Sequence, residues 1–191
     1  LENQALDIQL WESFKNGDRD SFRELFRKYY SPLYLYGHKI TTDKELLEDC
    51  IQDLFTELWL SPSKTPIQSV RAYLLKALQY KLIKGLQKRS KLELSADDLE
   101  TRAFQISHDN LLILKEDQKE NGDKIKAALT QLSKRQQEIV YLRYFQNLSY
   151  DEIGDLMNIN YQVARNLLYQ SLKALRKTLS IVLIMLSLLH S

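Results

Sequence analysis

An all-α fold in two small helical lobes is what this chain of 191 residues predicts, on three observations. Helix breakers are scarce, with five glycines and three prolines, while the helix formers Leu, Lys, Glu and Gln dominate. Apolar residues return at i, i+3, i+4 and i+7 in one segment after another, the spacing of an amphipathic helix. Finally, residues that cap helix starts precede several of these segments, in places with Glu or Gln three residues further on. Lobes of this size have modest cores.

Taken in order, Ile8, Trp11 and Phe14 open a first helix that stops at Asn16-Gly17. Asp18 can cap the next, which carries Phe22, Leu25, Phe26 and Tyr29. Pro32 marks a break or a first-turn position, with Leu33 to Ile40 helical beyond it. Thr42 and Glu45 have capping-box spacing, ahead of an amphipathic run holding Leu46, Leu47, Ile51, Leu54, Phe55, Leu58 and Trp59. Ser61 to Pro66 is a loop, since both of its prolines oppose helix. Ser69 can cap a helix reaching to about Ser90, its buried stripe being Leu75, Leu78, Leu82 and Leu86.

Residues 91–123 are acidic and polar, and read as a linker holding at most one short helix. A C-terminal lobe then begins with Ile125, Ala128, Leu129 and Leu132. Ser133 with Gln136 forms a capping box before Ile139, Val140 and Tyr144, and Ser149 with Glu152 forms another before Ile153, Leu156 and Met157. Asn158-Ile159-Asn160 breaks that helix, and Asn160 can cap a last one carrying Ala164, Leu168, Ser171, Leu172, Leu175 and Leu179. Two short helices across a three-residue turn fit a helix-turn-helix whose second helix enters a DNA major groove. An ordinary helical hairpin has the same periodicity. The domains expected are thus 1–90, a linker at 91–123, 124–180, and an apolar tail at 181–191. The tail is shorter than the ~20 apolar residues a membrane span needs. It reads either as a helical extension packed on its own lobe or as a partner-binding patch.

Net charge is +2, but the charge is unevenly spread. Residues 1–90 hold 14 Lys/Arg against 12 Asp/Glu, residues 91–123 hold 4 against 9, and residues 124–191 hold 9 against 4. Basic lobes flanking an acidic connector suit a polyanion held at both ends. Within the first lobe, Leu58 to Leu92 contains no acidic residue, yet holds Lys64, Arg71, Lys76, Lys81, Lys84, Lys88, Arg89 and Lys91. Tyr73, Ala77, Tyr80, Lys84 and Lys88 fall near one helical face, opposite the leucines. Lysines neutralise phosphates and aromatic faces stack on unpaired bases, so nucleic-acid contact is favoured here over a merely solvated basic face. One helix earlier, Glu48 to Trp59 presents an acidic and polar outer face, which either docks a basic protein or is simply solvated.

Enzyme chemistry finds little support. His38, His108 and His190 lie far apart and make no metal-ligand spacing, no Gly-rich phosphate loop is present, and nothing points to a nucleophile with its base. No cofactor, metal or small-molecule substrate is expected. Cys50 lies among Leu46, Leu47, Ile51 and Leu54 and reads as a buried thiol, which fits a reducing cytoplasm. No signal-peptide pattern opens the sequence.

In order, these pieces resemble bacterial RNA polymerase sigma factors of the extracytoplasmic-function (ECF) group along nearly the whole chain. Phe22-Arg23-Glu24-Leu25-Phe26 with Tyr29-Tyr30 resembles the opening helix of sigma region 2. Glu48-Asp49, Gln52, Phe55 and Trp59 resemble the stretch that docks on core polymerase, and Arg71-Ala72-Tyr73-Leu74 through Lys88-Arg89 the helix that opens and reads the −10 element. Leu129 with Leu132, Arg135-Gln136, Leu142-Arg143-Tyr144, Glu152-Ile153-Gly154 and Leu175-Arg176 follow the order and spacing of region 4. The resemblance implies a region 2-like bundle and a region 4-like helix-turn-helix. It implies core RNA polymerase and promoter DNA as partners, and a membrane-linked anti-sigma factor that no residue here demonstrates. Asp49, Gln52, Asp53, Phe55 and Trp59 would meet polymerase. Tyr73, Lys76, Tyr80, Lys81, Lys84, Lys88 and Arg89 would hold −10 DNA, with the Leu60–Ser69 loop near an extruded base. Tyr161, Gln162, Arg165 and Asn166 would approach the −35 groove.

The sequence also departs from the family. Tyr73 stands where Trp is usual, Tyr80 and Lys84 where Asn and Asp are frequent, Gly85 interrupts the −10 helix, and Gly154 replaces a small Ala, consistent with close helix approach. Two other readings remain. A dimeric helix-turn-helix regulator would act without stable polymerase binding, and a helical adaptor would bind protein alone.

Overall fold

The computed structural model describes residues 2–61, 66–90 and 128–189, and these are helical with no strand among them. The helices fall into two compact units, one within residues 1–100 and one within residues 101–191. The first holds α1 (Glu2–Lys15), α2 (Arg19–Ile40), α3 (Lys44–Leu60) and α4 (Val70–Ser90). The second holds a helical turn at 128–130, then α5 (Lys134–Tyr144), α6 (Tyr150–Met157) and α7 (Tyr161–Leu189). The whole of the expected linker, 91–123, and loop residues 62–65 lie outside the described residues, as do the side chains of the apolar tail.

Local chemistry sets most helix starts. Asp18 caps α2 by accepting from the backbone N–H groups of Asp20 and Ser21, each at 3.2 Å. Ser69 Oγ accepts from Ala72 N at 3.2 Å at the head of α4. Both expected capping boxes of the second unit are present. Ser133 pairs with Gln136 and Ser149 with Glu152, the latter with Glu152 Oε2 taking the Ser149 N–H at 2.6 Å.

Two local expectations are corrected. Pro32 does not break α2, which runs unbroken through it. Tyr29, Leu33 and Tyr36 lie on one buried stripe, two of them before and after the proline by a single turn, and their burial outweighs the roughly 3 kcal/mol that an interior proline costs. The cap of α3 is Asp43, not Thr42. Asp43 Oδ1 accepts from Leu46 N at 3.0 Å, while Thr41 terminates α2 and accepts the Asp43 N–H on its own hydroxyl at 3.1 Å. The connection is therefore one residue longer than the Thr42–Glu45 spacing implies.

In the first unit the core is built from Trp11, Phe14, Leu25, Tyr29, Leu33, Tyr36, Leu47, Ile51, Leu74, Leu75, Leu78 and Leu82, all nearly inaccessible. The predicted stripe of α4 is correct for Leu75, Leu78 and Leu82, whereas Leu86 is only half-buried near the helix end. Gly85 has a packing reason. A Cβ there would lie 2.6 Å from Leu46 Cδ1, so the gap in α4 lets α3 approach. An anchor of α1 is the buried Asp7 carboxylate, which takes the Tyr29 hydroxyl at 2.5 Å and pairs with Lys28. Burial first, and the Asp7 charge after it, push the Tyr29 phenol well above its usual range. Cys50 is buried as expected, and desolvation raises its thiol pKa, reinforced by Asp53 nearby.

The core of the second unit joins Leu129, Leu132, Ile139, Leu142, Leu148, Ile153, Leu156, Ala164 and Leu168. Helix α7 continues past the boundary expected at 180/181 and is helical to Leu189. No described helix is long and apolar enough to cross a membrane.

Candidate nucleic-acid interface

The face of α4 opposite its leucines lies beside the C-terminal end of α3. Tyr73, Ala77, Tyr80, Lys81 and Lys84 line a hollow of about 600 Å³ together with Leu54, Glu57, Leu58 and Ser61. Tyr80 is 60% exposed, and the Lys84 ammonium sits 4.8 Å over its ring. Hydrogen bonding with the Tyr80 side chain holds Lys84 above its ordinary pKa. Lys76 and Lys88 are exposed. Tyr73 is half-buried, its ring edge-on to Trp11 with centroids 5.2 Å apart, so α1 backs the place where the family usually has Trp.

Two cations of this face are already paired. Lys81 Nζ is 2.6 Å from Glu57 Oε1, and Arg89 pairs with Asp43 and lies 3.9 Å from Glu45 Oε2. The acid-free stretch of sequence is thus met by carboxylates of α3, which no window along α4 could reveal.

A second surface lies between α2 and α3. An apolar groove of about 530 Å³ is lined by Phe22, Phe26, Tyr30, Glu48, Gln52, Phe55, Thr56, Trp59 and Leu60. Of the residues expected to meet polymerase, Gln52 and the 37%-exposed Trp59 line its wall. Phe55 is buried beneath it, its ring 4.8 Å from that of Phe26 and 6.1 Å from that of Phe22, so it shapes the groove from below. Asp49 and Asp53 are exposed on the adjoining row of α3, outside the groove. The contribution of Phe26 and Tyr30 from α2 was not foreseen. Their i, i+4 spacing is the signal the sequence offers, and both rings are 37% exposed in the structure.

In the second unit α6 and α7 form the helix-turn-helix. The turn is made by Asn158 in the left-handed conformation, φ 52°, and the Gly154 carbonyl accepts the N–H of Ile159 at 2.9 Å. A Cβ on residue 154 would lie 2.6 Å from the Ile159 carbonyl oxygen. The close approach expected at Gly154 is therefore to the backbone of its own turn. Asn160 Oδ1 caps α7 by accepting the Val163 N–H at 2.9 Å. Tyr161, Gln162, Arg165 and Asn166 are all exposed on the first turns of α7. Gln162 donates to Asn166 Oδ1 at 3.2 Å, and Arg165 lies 5.9 Å from the ring centroid of Tyr161, which is edge-on to Tyr150. Tyr169, 67% exposed, extends the row of Tyr161 and Arg165 at i+4 spacing, and Val163 adds an exposed apolar contact. Arg135 and Arg143, two of the nine Lys/Arg of residues 124–191, serve the scaffold. Arg135 donates to the Met157 carbonyl at 3.3 Å and Arg143 to the Leu148 carbonyl at 2.7 Å.

The family model described as "Sigma-70, region 4" matches residues 122–175, which contain the helix-turn-helix. The ECF RNA polymerase sigma factor SigM of Bacillus subtilis (strain 168) is 26% identical over 155 residues, 80% of this chain and 93% of that protein. The RNA polymerase sigma factor YlaC of the same organism is 24% identical, over 85% of this chain and 94% of that protein. Among solved structures, the fold is shared with the sigma factor RpoE from Bartonella quintana, solved with the anti-sigma factor NepR. The TM-score is 0.54 at 17% identity, and the match covers 84% of this chain and 97% of that one. Region 4 is thus matched in its own right, and along most of its length the chain is similar to RNA polymerase sigma factors of the extracytoplasmic-function group.

Proposed function

We propose that this protein binds core RNA polymerase and directs promoter-specific initiation of transcription. The observation that carries the reading is the extent of the similarity. Sigma factors align with four-fifths of the chain, so the relationship includes the four-helix unit and is not confined to the helix-turn-helix. A dimeric regulator would need only the second unit and would leave the groove and the basic face of the first without a role.

In this reading the unit at 1–90 carries the polymerase and −10 contacts, and the unit at 124–180 the −35 contact. The groove with Gln52, Trp59 and the neighbouring Asp49 and Asp53 docks on polymerase. Phe55 keeps the groove open from beneath. Tyr73, Lys76, Tyr80, Lys81, Lys84, Lys88 and Arg89 hold −10 DNA, the lysines through phosphates and Tyr80 by stacking on an unpaired base. At the −35 element, Arg165 suits a guanine edge and Gln162 or Asn166 an adenine edge, with Tyr161 beside them. The acidic segment 91–123 stays off DNA by like-charge repulsion. The reaction itself belongs to polymerase, and the protein acts in the cytoplasm. An anti-sigma factor is a fitting further partner, since the structural neighbour was solved with one.

Pull-down of core polymerase by the full chain, followed by mapping of transcript starts made by the reconstituted complex, tests this reading. Retention of core and a shared promoter motif are expected. Transcription from no genomic promoter would overturn it.

A further inference from the structure

We infer that Glu57 and Asp43 of α3 are built-in competitors of DNA phosphate for the cations of α4, and that they limit how tightly this face holds nucleic acid outside a polymerase complex. The inference rests on the proposed role of α4 in binding DNA.

The geometry favours exchange over permanent pairing. Lys81 is the held partner, with its side chain 18% exposed, while the Glu57 side chain is 69% exposed. The carboxylate therefore lies on the solvent side of the ammonium, where an incoming phosphate would approach. Glu57 and Lys81 both line the hollow that contains Tyr73, Tyr80 and Lys84, so the pair stands inside the surface that would receive DNA. At the far end of α4 a second pair forms with the exposures reversed, the Asp43 side chain being 35% exposed. Arg89, 46% exposed, is held by Asp43, with Glu45 at 3.9 Å. Exposed ion pairs of this kind are weak, so phosphate can replace the carboxylate once the rest of the interface is in place. Binding strength that depends on released counterions is reduced when a cation is already neutralised from within. Random duplex then meets fewer effective charges than the sequence of α4 suggests. A fully seated promoter complex can still recruit Lys81 and Arg89.

The test is the salt dependence of binding by the full chain to a fluorescent duplex of unrelated sequence, followed by anisotropy from about 50 to 200 mM salt. Glu57→Gln should steepen the log–log slope by about 0.9, the contribution of one further cation. Asp43→Asn, which keeps the helix cap, should do the same through Arg89. Glu24→Gln changes net charge equally on an exposed part of α2 and should leave the slope unchanged. The Glu57→Gln effect should disappear when Lys81→Gln is also present. A Glu57→Gln slope equal to that of Glu24→Gln, or an effect persisting without Lys81, would overturn the inference. Lys84→Glu with Lys88→Glu separates the two levels. If that double variant loses binding while Glu57→Gln changes nothing, competition is wrong and the DNA face stands. If it too binds normally, both are wrong.

Discussion

Gly154 shows how one atom can decide a DNA-binding turn. Its missing Cβ makes room for the Ile159 carbonyl, and its own carbonyl accepts the Ile159 N–H. Gly154→Val should cost about 1–3 kcal/mol through overpacking against backbone that cannot move aside, measured by urea unfolding of the full chain. Asp18 and Asp43 illustrate a different residue-scale effect. Asp18 is held below the ordinary carboxylate pKa, by the Ser21 hydroxyl above all. Asp43 is lowered chiefly by the Leu46 N–H, with Arg89 contributing less. Because both folded-state values lie below the unfolded one, their stabilisation is complete above about pH 4 and lost as pH falls through the lowered values. The paired variant Asp18→Asn with Asp43→Asn retains cap acceptors but cannot titrate. Its melting temperature should fall less steeply below about pH 4 than that of the parent, as thermal scans across the acid range will show.

At the scale of elements, α4 serves as core wall and charged surface at once. Its leucines are sealed inward, and Tyr80, Lys84 and Lys88 stand outward. Lys84→Glu together with Lys88→Glu should therefore leave the fold and polymerase binding intact, while opening of a promoter falls by tenfold or more, on the order of 1.4 kcal/mol. Core retention and permanganate reactivity of the −10 region, read side by side, check this. Equal loss of both would mean that the face is wrongly assigned. Most of these elements are legible beforehand because their causes lie within one or two turns. Ser133, Ser149 and Asn160 make the expected cap bonds. Where tertiary packing competes with a local rule, the local rule loses. Pro32 stays helical because buried side chains flank it. At α3 the choice is itself local, since Asp43 and not Thr42 accepts the Leu46 N–H.

For the molecule as a whole, two compact units lie at opposite ends of the sequence, with the acidic segment between. Two modest DNA contacts on one chain gain through effective concentration only when their separation matches the two promoter elements. The isolated protein should consequently bind promoter duplex weakly and with strong salt dependence. The complex with core polymerase should bind the same duplex specifically and tolerate more salt. Titration of one labelled promoter with each, across a salt series, measures the difference. Equally tight specific binding by the free chain would favour the dimeric regulator instead.

The caps at Asp18, Ser69, Ser133, Ser149 and Asn160 and the inward leucines at 75, 78 and 82 follow from neighbours along the chain, because hydrogen bonds over three or four residues and a 3.6-residue period are local physics. What could not be read that way is which charges are spent. Lys81 and Arg89 meet carboxylates from another helix, Arg135 and Arg143 satisfy carbonyl groups of the scaffold, and Phe55 lies beneath a groove whose rim comes partly from α2. Those outcomes depend on distances between residues far apart in the chain, and such distances exist only once the helices have packed.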